Sequence, residues 1–308
     1  MKHVRGAQFV APTLRRVWSD YQQTRTLRET TIRNYNLRLN HCCADWLDIP
    51  VTDITKDMVA ERHQSIKGEA MANSTMRTIK ALFHYASFKY VDEEGRKLVT
   101  ENPVYRLSET RSWYKERRRT DVIRKQELNA FMKAVFSLQN PSARDMLLIL
   151  LLTGMRVSEV RELRWEQVNL LCGVIVLQHV ETKTGEQYVI PLSDYAWNIL
   201  RTRNFGAVGD WVFPGARPDI PLTRSDKSIN TVRKRSGVSF SHHSLRRSFA
   251  TFADELEIKH QIIKCLLNHK SPDETELYIQ PSIERLRRAT QQVTDYILIH
   301  GGIRQPRP

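Results

Sequence analysis

The chain has 308 residues, more than one typical domain, so two are expected, each able to bury its own core. Its 48 Lys and Arg outnumber 34 Asp and Glu, a formal charge of +14 that makes polyphosphate the first partner chemistry to consider. No apolar run reaches bilayer-spanning length, no signal segment follows the basic start, and Cys42, Cys43, Cys172 and Cys265 form no CxxC pair. These features argue against a helical membrane protein, a secreted precursor and a disulfide scaffold; buried free thiols in a cytoplasmic protein are expected.

In chain order, residues 29–47 place Ile32, Tyr35, Leu39, Cys42 and Trp46 at steps of three and four, the stripe of an amphipathic helix. Met76, Ile79, Leu82, Phe83, Ala86 and Tyr90 form a second stripe, with Asn73 or Ser74 placed to cap its helix. Weaker helical signals at about 12–24 and 55–66 bring the count to four, so residues 1–110 read as an all-helical domain. After Asn102-Pro103 the periodicity breaks, and residues 111–124 read as a linker. The fifteen residues 111–125 hold seven basic and two acidic side chains, against 17 and 13 in residues 1–110 and 24 and 19 in residues 126–308. Such a charge run is commonly only a solvated loop. Here Trp113 and Tyr114 sit among the basic residues and the run joins two domains of a basic protein, so Arg111, Lys115, Arg117, Arg118 and Arg119 are expected to contact DNA.

Residues 125–308 form the second domain. A helix is expected near 125–138, then an apolar helix from Met146 to Leu152 that stops at Thr153-Gly154, and another around 157–164. Strands Val174–Leu177 and Tyr188–Pro191 flank a turn in which Gly185 favours a hairpin, and helices follow to the end. Ser282 is placed to cap a last helix striped by Ile283, Leu286, Ala289, Val293 and Ile297. The fold class is therefore mainly α, an all-helical domain plus a mostly helical one with a small antiparallel sheet.

Four separated segments carry the chemistry, and none is specific alone. In Thr153-Gly154-Met155-Arg156-Val157-Ser158-Glu159 the glycine ends one helix and Arg156 projects from the tight connection to the next, although a lone arginine is more often a surface or salt-bridged residue. Thr182-Lys183-Thr184-Gly185 sets an ammonium at the hairpin tip, where exposed lysines are commonplace. In Ser241-His242-His243-Ser244-Leu245-Arg246-Arg247, His243 and Arg246 share a helix face and can reach one phosphate. His242 with Arg246, or His243 with Arg247, would share a face too, so spacing leaves the register open. No nearby carboxylate or cysteine completes a metal-ligand set around the two histidines, and no metal is expected. The fourth segment runs from Leu266-Leu267-Asn268-His269 to Tyr278; singly, its histidine and tyrosine would read as packing residues.

Taken in order, these segments resemble the tyrosine recombinases, the phage integrase family. Thr153-Gly154-x-Arg156-x-x-Glu159 resembles the family's first box and His243-x-x-Arg246 its second, which selects that register. Leu267-Asn268-His269, followed nine residues later by Tyr278, resembles the segment that ends in the family's nucleophile, and Lys183 falls at its hairpin lysine. Asn268 departs from the pattern, since the family usually has glycine there. The motifs cover about residues 125–280, and the helical residues before the linker look like the family's core-binding domain. The resemblance implies that Arg156 and Arg246 clamp the scissile phosphate, Tyr278 attacks it, His243 acts as base, His269 hydrogen-bonds the phosphate and Lys183 protonates the leaving 5′ oxygen. A 3′-phosphotyrosine would store the bond energy, so no cofactor is expected. It further implies double-stranded DNA sites, a homotetramer that exchanges strands through a Holliday junction, and accessory DNA-bending proteins as further partners. Integration or excision of a phage or mobile element is the favoured role. A Xer-like chromosome-dimer resolvase is the near alternative; a type IB topoisomerase or a non-catalytic DNA-binding protein is more distant. Many integrases carry an additional N-terminal arm-binding domain, which is not expected within these residues. Because the family often docks the segment beyond the nucleophile on a neighbour, the last helix is expected to pack in trans.

Overall fold

The computed structural model describes residues 11–116, 120–178, 187–222, 226–269 and 281–303. The chain divides into two compact units, residues 1–118 and 119–308.

In the first unit, α1 (Leu14–Thr24) starts where the Thr13 hydroxyl accepts from the Arg16 amide, and α2 (Glu29–Cys42) follows. Thr55 caps α3 (Lys56–Ser65) in the same way, and α4 (Glu69–Lys89) and a short α5 (Tyr105–Glu109) complete the set. The long α4 packs on α1, α2 and α3 around Leu14, Val17, Leu39, Trp46, Val59, Met76, Ile79, Leu82 and Phe83. It begins earlier than its stripe indicates, after Gly68 (φ +96), so neither Asn73 nor Ser74 is its cap. Asn73 is instead buried inside the helix and used sideways. Its Oδ1 accepts from the Tyr114 amide at 3.2 Å and its Nδ2 donates to the Tyr114 carbonyl at 2.9 Å, so a side-chain amide pairs with backbone as a strand would. His63 Nε2 meets the same Oδ1 at 2.9 Å, and the Tyr114 ring stacks on His63 at 4.5 Å. Arg77 holds Glu116 at 2.7 Å, and Trp113 packs against the core. The aromatics of the basic run thus face their own unit, while Arg111 and Lys115 stay exposed. Arg117, Arg118 and Arg119 lie outside the described residues.

In the second unit, a 3₁₀ turn (Lys125–Glu127) leads into α6 (Leu128–Phe136). Asn140 caps α7 (Pro141–Thr153), with Pro141 at the first position, where its missing N–H is harmless. Helix α7 runs through the middle of the unit and is buried on every side from Met146 to Thr153, which is why its sequence shows an apolar run rather than a stripe. After α8 (Val157–Arg161) comes an antiparallel sheet of β1 (Val168–Asn169), β2 (Val174–Leu177) and β3 (Tyr188–Pro191), with Val174 opposite Pro191 and Leu177 opposite Tyr188. Strand β1 was not foreseen, since two residues are too few to show an alternation. The turn between β2 and β3, including Lys183, lies outside the described residues. Helices α9 (Asp194–Phe205), α10 (Asp226–Ser236), α11 (His242–Glu255), α12 (His260–Leu266) and α13 (Ile283–His300) follow.

Ser282 caps α13 as expected, accepting from the Arg285 amide, and in the single chain the helix lays its stripe on its own unit. Ala289, Val293, Ile297 and Leu298 are buried in their own unit, where α13 packs on α7, α11, α12 and β3. Arg287 donates to the carbonyls of Gly173 at 2.8 Å and Cys172 at 2.9 Å, and Thr294 to the Ser193 hydroxyl at 2.9 Å. In the single chain the stripe covers the unit's own core, and polar side chains satisfy the carbonyls at the sheet edge. Ile297→Ala should cost about 2–5 kcal/mol, as for other fully buried aliphatic truncations, read as a lower midpoint in urea unfolding. The expectation of four buried thiols fails. Only Cys43 is buried, its thiol pushed up to about 12 chiefly by that burial, while Cys172 sits exposed in the turn before β2. Among the described residues no helix is long and apolar enough to cross a membrane.

Candidate active site

The tight connection between α7 and α8 is built on glycine for two reasons. Gly154 has φ +65, the left-handed region, and a Cβ there would come within 2.7 Å of Phe249 and 2.9 Å of Leu267. The close approach brings the Gly154 carbonyl to α11, where it accepts from Arg246 Nη1 at 2.8 Å. Two residues on, Arg156 sits at the N-cap of α8. Its backbone amide and its Nη1 both donate to Glu159, each at 2.8 Å, and that carboxylate is buried. Glu159 thus fixes the arginine's backbone and side chain together, and Arg156 Nη2 is aimed at the Asn268 carbonyl, 3.1 Å away.

Arg246 forms the floor of the site and is only 5 % exposed. Besides Gly154 it holds the Leu267 carbonyl through Nη2, which also meets His269 Nε2 at 3.0 Å. Burial, and then the neighbouring Arg156, lower its pKa to about 10, which leaves the guanidinium cationic at neutral pH. A third side chain joins from the sheet, because the Tyr188 hydroxyl on β3 donates to the Leu266 carbonyl. The consecutive carbonyls of Leu266, Leu267 and Asn268 are therefore gripped in turn by Tyr188, Arg246 and Arg156, which pins the backbone that delivers His269. Asn268 has φ +48, a conformation that glycine adopts freely and asparagine tolerates, so this departure from the family's usual glycine leaves the turn able to form.

The imidazoles are tuned by the same cations. Burial, then Arg246, Arg156 and His243, push His269 below the ordinary histidine range. A neutral His269 accepting from Arg246 at Nε2 keeps its proton on Nδ1 and can donate from there. His243 is exposed on the first turn of α11; burial of part of its ring lowers its pKa, Arg247 and Arg246 act in the same direction and Asp121 opposes them. The charged neighbours of His242 are different ones: Asp226, Arg161 and Arg233. Arg247 is turned to Asp121, 2.6 Å away. Of the registers that spacing leaves open, His243 with Arg246 is the one whose members face the same cluster. A groove of about 600 Å³ opens beside His269 between α11 and α12.

Two guanidinium groups and two imidazoles from three chain segments thus gather in one cluster whose chemistry suits an oxyanion, because planar forks match the oxygens of a phosphoryl group. Tyr278 and Lys183 lie outside the described residues. Tyr296, the next tyrosine along, sits on α13 with its hydroxyl on Glu255 at 2.6 Å. Desolvation, and then that carboxylate, push its pKa up to about 12, a poor environment for a phenolate. Glu159 and Tyr188 brace the site without belonging to its candidate catalytic set. Glu159 was accessible through its spacing of three from Arg156 at a helix start, whereas a tyrosine in a short strand reads as packing.

The sequence model of the phage integrase family matches residues 121–285, more than half of the chain. The chain belongs to the phage integrase family. Among curated relatives, prophage integrase IntF of Escherichia coli K12 is 26% identical over 84% of this chain, which spans 57% of that protein's length. Tyrosine recombinase XerA of Pyrococcus horikoshii is 26% identical over 92% of this chain and 95% of its own. A lambda integrase dimer bound to a COC′ core site superposes with a TM-score of 0.65 at 23% identity, covering 88% of this chain and 98% of that one. A lambda integrase tetramer bound to a Holliday junction gives 0.65 at 24%, covering 86% and 79%. At these identities the solved structures establish the shared fold, a mainly α chain with a small antiparallel sheet.

Proposed function

We propose that this phage integrase family member is a site-specific DNA recombinase that cleaves and rejoins double-stranded DNA through a 3′-phosphotyrosine at Tyr278. The observation that carries the reading is the cluster in which Arg156 and Arg246 hold the turn that delivers His269, with His243 close enough to act on the same imidazole. In the reaction, Arg156 and Arg246 bind the nonbridging oxygens and stabilise the charge that builds on them, and His269 donates to the phosphate from Nδ1. His243 takes the proton of the Tyr278 hydroxyl as the phosphodiester bond breaks. Lys183 gives a proton to the departing 5′ oxygen, and the reverse sequence joins a new 5′ hydroxyl to the stored phosphotyrosine. The phosphotyrosyl bond conserves the energy for rejoining, so neither cofactor nor metal enters the scheme. Residues 1–110 serve as the core-binding half of a DNA clamp, 111–124 as its basic linker and 125–308 as the catalytic domain, with the work done in the cytoplasm at the nucleoid.

The test is incubation with a nicked suicide site, found first by sequencing the DNA that the protein retains. A denaturation-resistant protein–DNA adduct is the expected product, and its absence on a bound site would refute the reading. The assembly carried over from the relatives is a homotetramer on paired sites, with accessory DNA-bending proteins as further partners. Integration or excision of a mobile element is the preferred role, and resolution of chromosome dimers is the second, favoured by the near full-length match to XerA. Relaxation of supercoiled plasmid without paired sites would instead indicate a type IB topoisomerase activity.

The linker reading has its own measurement. Neutralising Arg117, Arg118 and Arg119 together should reduce the magnitude of the log K versus log salt slope by up to about 3, near one unit for each lost phosphate contact. An unchanged slope would make the run a solvated loop. Arg111 and Lys115 are exposed beside Trp113 and Tyr114, whose rings pack on the first unit.

A further inference from the structure

The segment that opens the second unit is fastened to the helix carrying His243 and Arg246. Asp121 Oδ1 accepts from Arg247 Nη2 at 2.6 Å, and its Oδ2 accepts from the Ser244 hydroxyl, with the Ser241 hydroxyl 3.5 Å away. Two residues later the Ile123 amide donates to Ser248 Oγ at 2.7 Å. Ser241 and Ser244 close the reciprocal cap of α11, each side chain accepting from the other's backbone amide, so Asp121 grips the turn from which His243 projects. The contact also disposes of a charge. Arg247 follows Arg246 on the helix and is one of the cations acting on His243. That imidazole is faced by Arg246 and Arg247 from its own helix, by His269 from the turn after α12 and by Asp121 from the entering segment.

We propose that Asp121 is a positioning residue of the recombination site, orienting the first turn of α11 and holding Arg247 so that this extra guanidinium is partly offset at His243 and does not compete for the scissile phosphate. The role in cleavage rests on the function proposed above; the coupling of Asp121 to His243 does not. Partial burial works against charge on Asp121, but the hydrogen bonds from Ser244 and Arg247 outweigh it and hold the carboxyl below the ordinary range. It is therefore an anion wherever a histidine titrates. Without that anion, the charge of Arg247 weighs more heavily on His243 and its imidazolium becomes harder to form.

Asp121→Asn removes the charge while keeping shape and acceptor oxygen. The His243 ring can be titrated by NMR in the full chain labelled at histidine, with its signal assigned by its loss in His243→Gln. The midpoint should fall in Asp121→Asn and return toward that of the unaltered protein in Asp121→Asn with Arg247→Gln. On a saturating nicked site, single-turnover cleavage by Asp121→Asn should slow by about 10- to 100-fold, the upper end being what a misplacement of about 1 Å can cost. An unchanged midpoint would overturn the coupling. A lowered midpoint with undiminished cleavage, or a lowered melting temperature with both readouts intact, would reduce Asp121 to a structural contact. Should the unaltered protein itself form no adduct, the function fails and the titration alone decides the coupling.

Discussion

Tyr278→Phe is expected to bind its recombination site with the affinity of the unaltered protein and to form no covalent adduct with it. The change deletes one oxygen, the attacking atom, and keeps the ring. No other group in the described site can replace it. Arg156 and Arg246 are cations, and a histidine adduct would be a phosphoramidate, which acid hydrolyses and which is thereby told from a phosphotyrosine. Tyr296 is committed to Glu255, with its hydroxyl held in the neutral form. An acid-stable adduct that persists in Tyr278→Phe would therefore sink the assignment of the nucleophile. Gel-shift affinity and gel-resolved adduct yield on the same nicked site give both halves of the result.

Arg246→Lys is the second large effect. The guanidinium reaches the Gly154 carbonyl, the Leu267 carbonyl and His269 at once from a nearly closed position. An ammonium is a point donor on a flexible stem and cannot span those acceptors in their planar arrangement. Cleavage should fall by a factor of about 10²–10³, comparable to deleting one preorganised donor to a developing oxyanion. Stability should fall by about 1–3 kcal/mol as well, because buried carbonyls lose a partner. The two losses are separable: single-turnover cleavage at saturating DNA reads the first, and urea unfolding the second. Full cleavage by Arg246→Lys would show that this side chain braces the turn to His269 without touching the phosphate.

The cluster of Arg156, His243, Arg246 and His269 was legible before the structure through the resemblance of their short motifs, in order, to a family pattern; spacing alone left the histidine register open. Arg156, His243, Arg246 and His269 each belong to a short motif whose order in the chain is informative, and three of them meet through hydrogen-bonded turns in the structure. The supporting groups were less visible. Tyr188, Asp121 and Asn73 are ordinary residues in unremarkable strings, and their contacts span 78, 123 and 41 positions of chain. Nothing in local periodicity encodes which distant carbonyl or hydroxyl a side chain will meet.

What the sequence by itself determined is the class of fold, the bounds of strands β2 and β3, the cap of α13 at Ser282, and the stop of α7 at Gly154. Each of these depends on neighbours within a few positions, through alternation, a capping hydroxyl or a permitted φ. Tertiary structure decided the rest. It placed the start of α4 at Glu69, since the side of that helix facing Tyr114 is polar and escapes the apolar stripe. It folded α13 onto its own unit, because only the assembled core and sheet edge show that Val293 and Ile297 already have a surface to cover. It also separated His243 from His242, two adjacent imidazoles with the same local sequence context, by setting one among Arg246, Arg247 and Asp121 and the other beside Asp226 and Arg233.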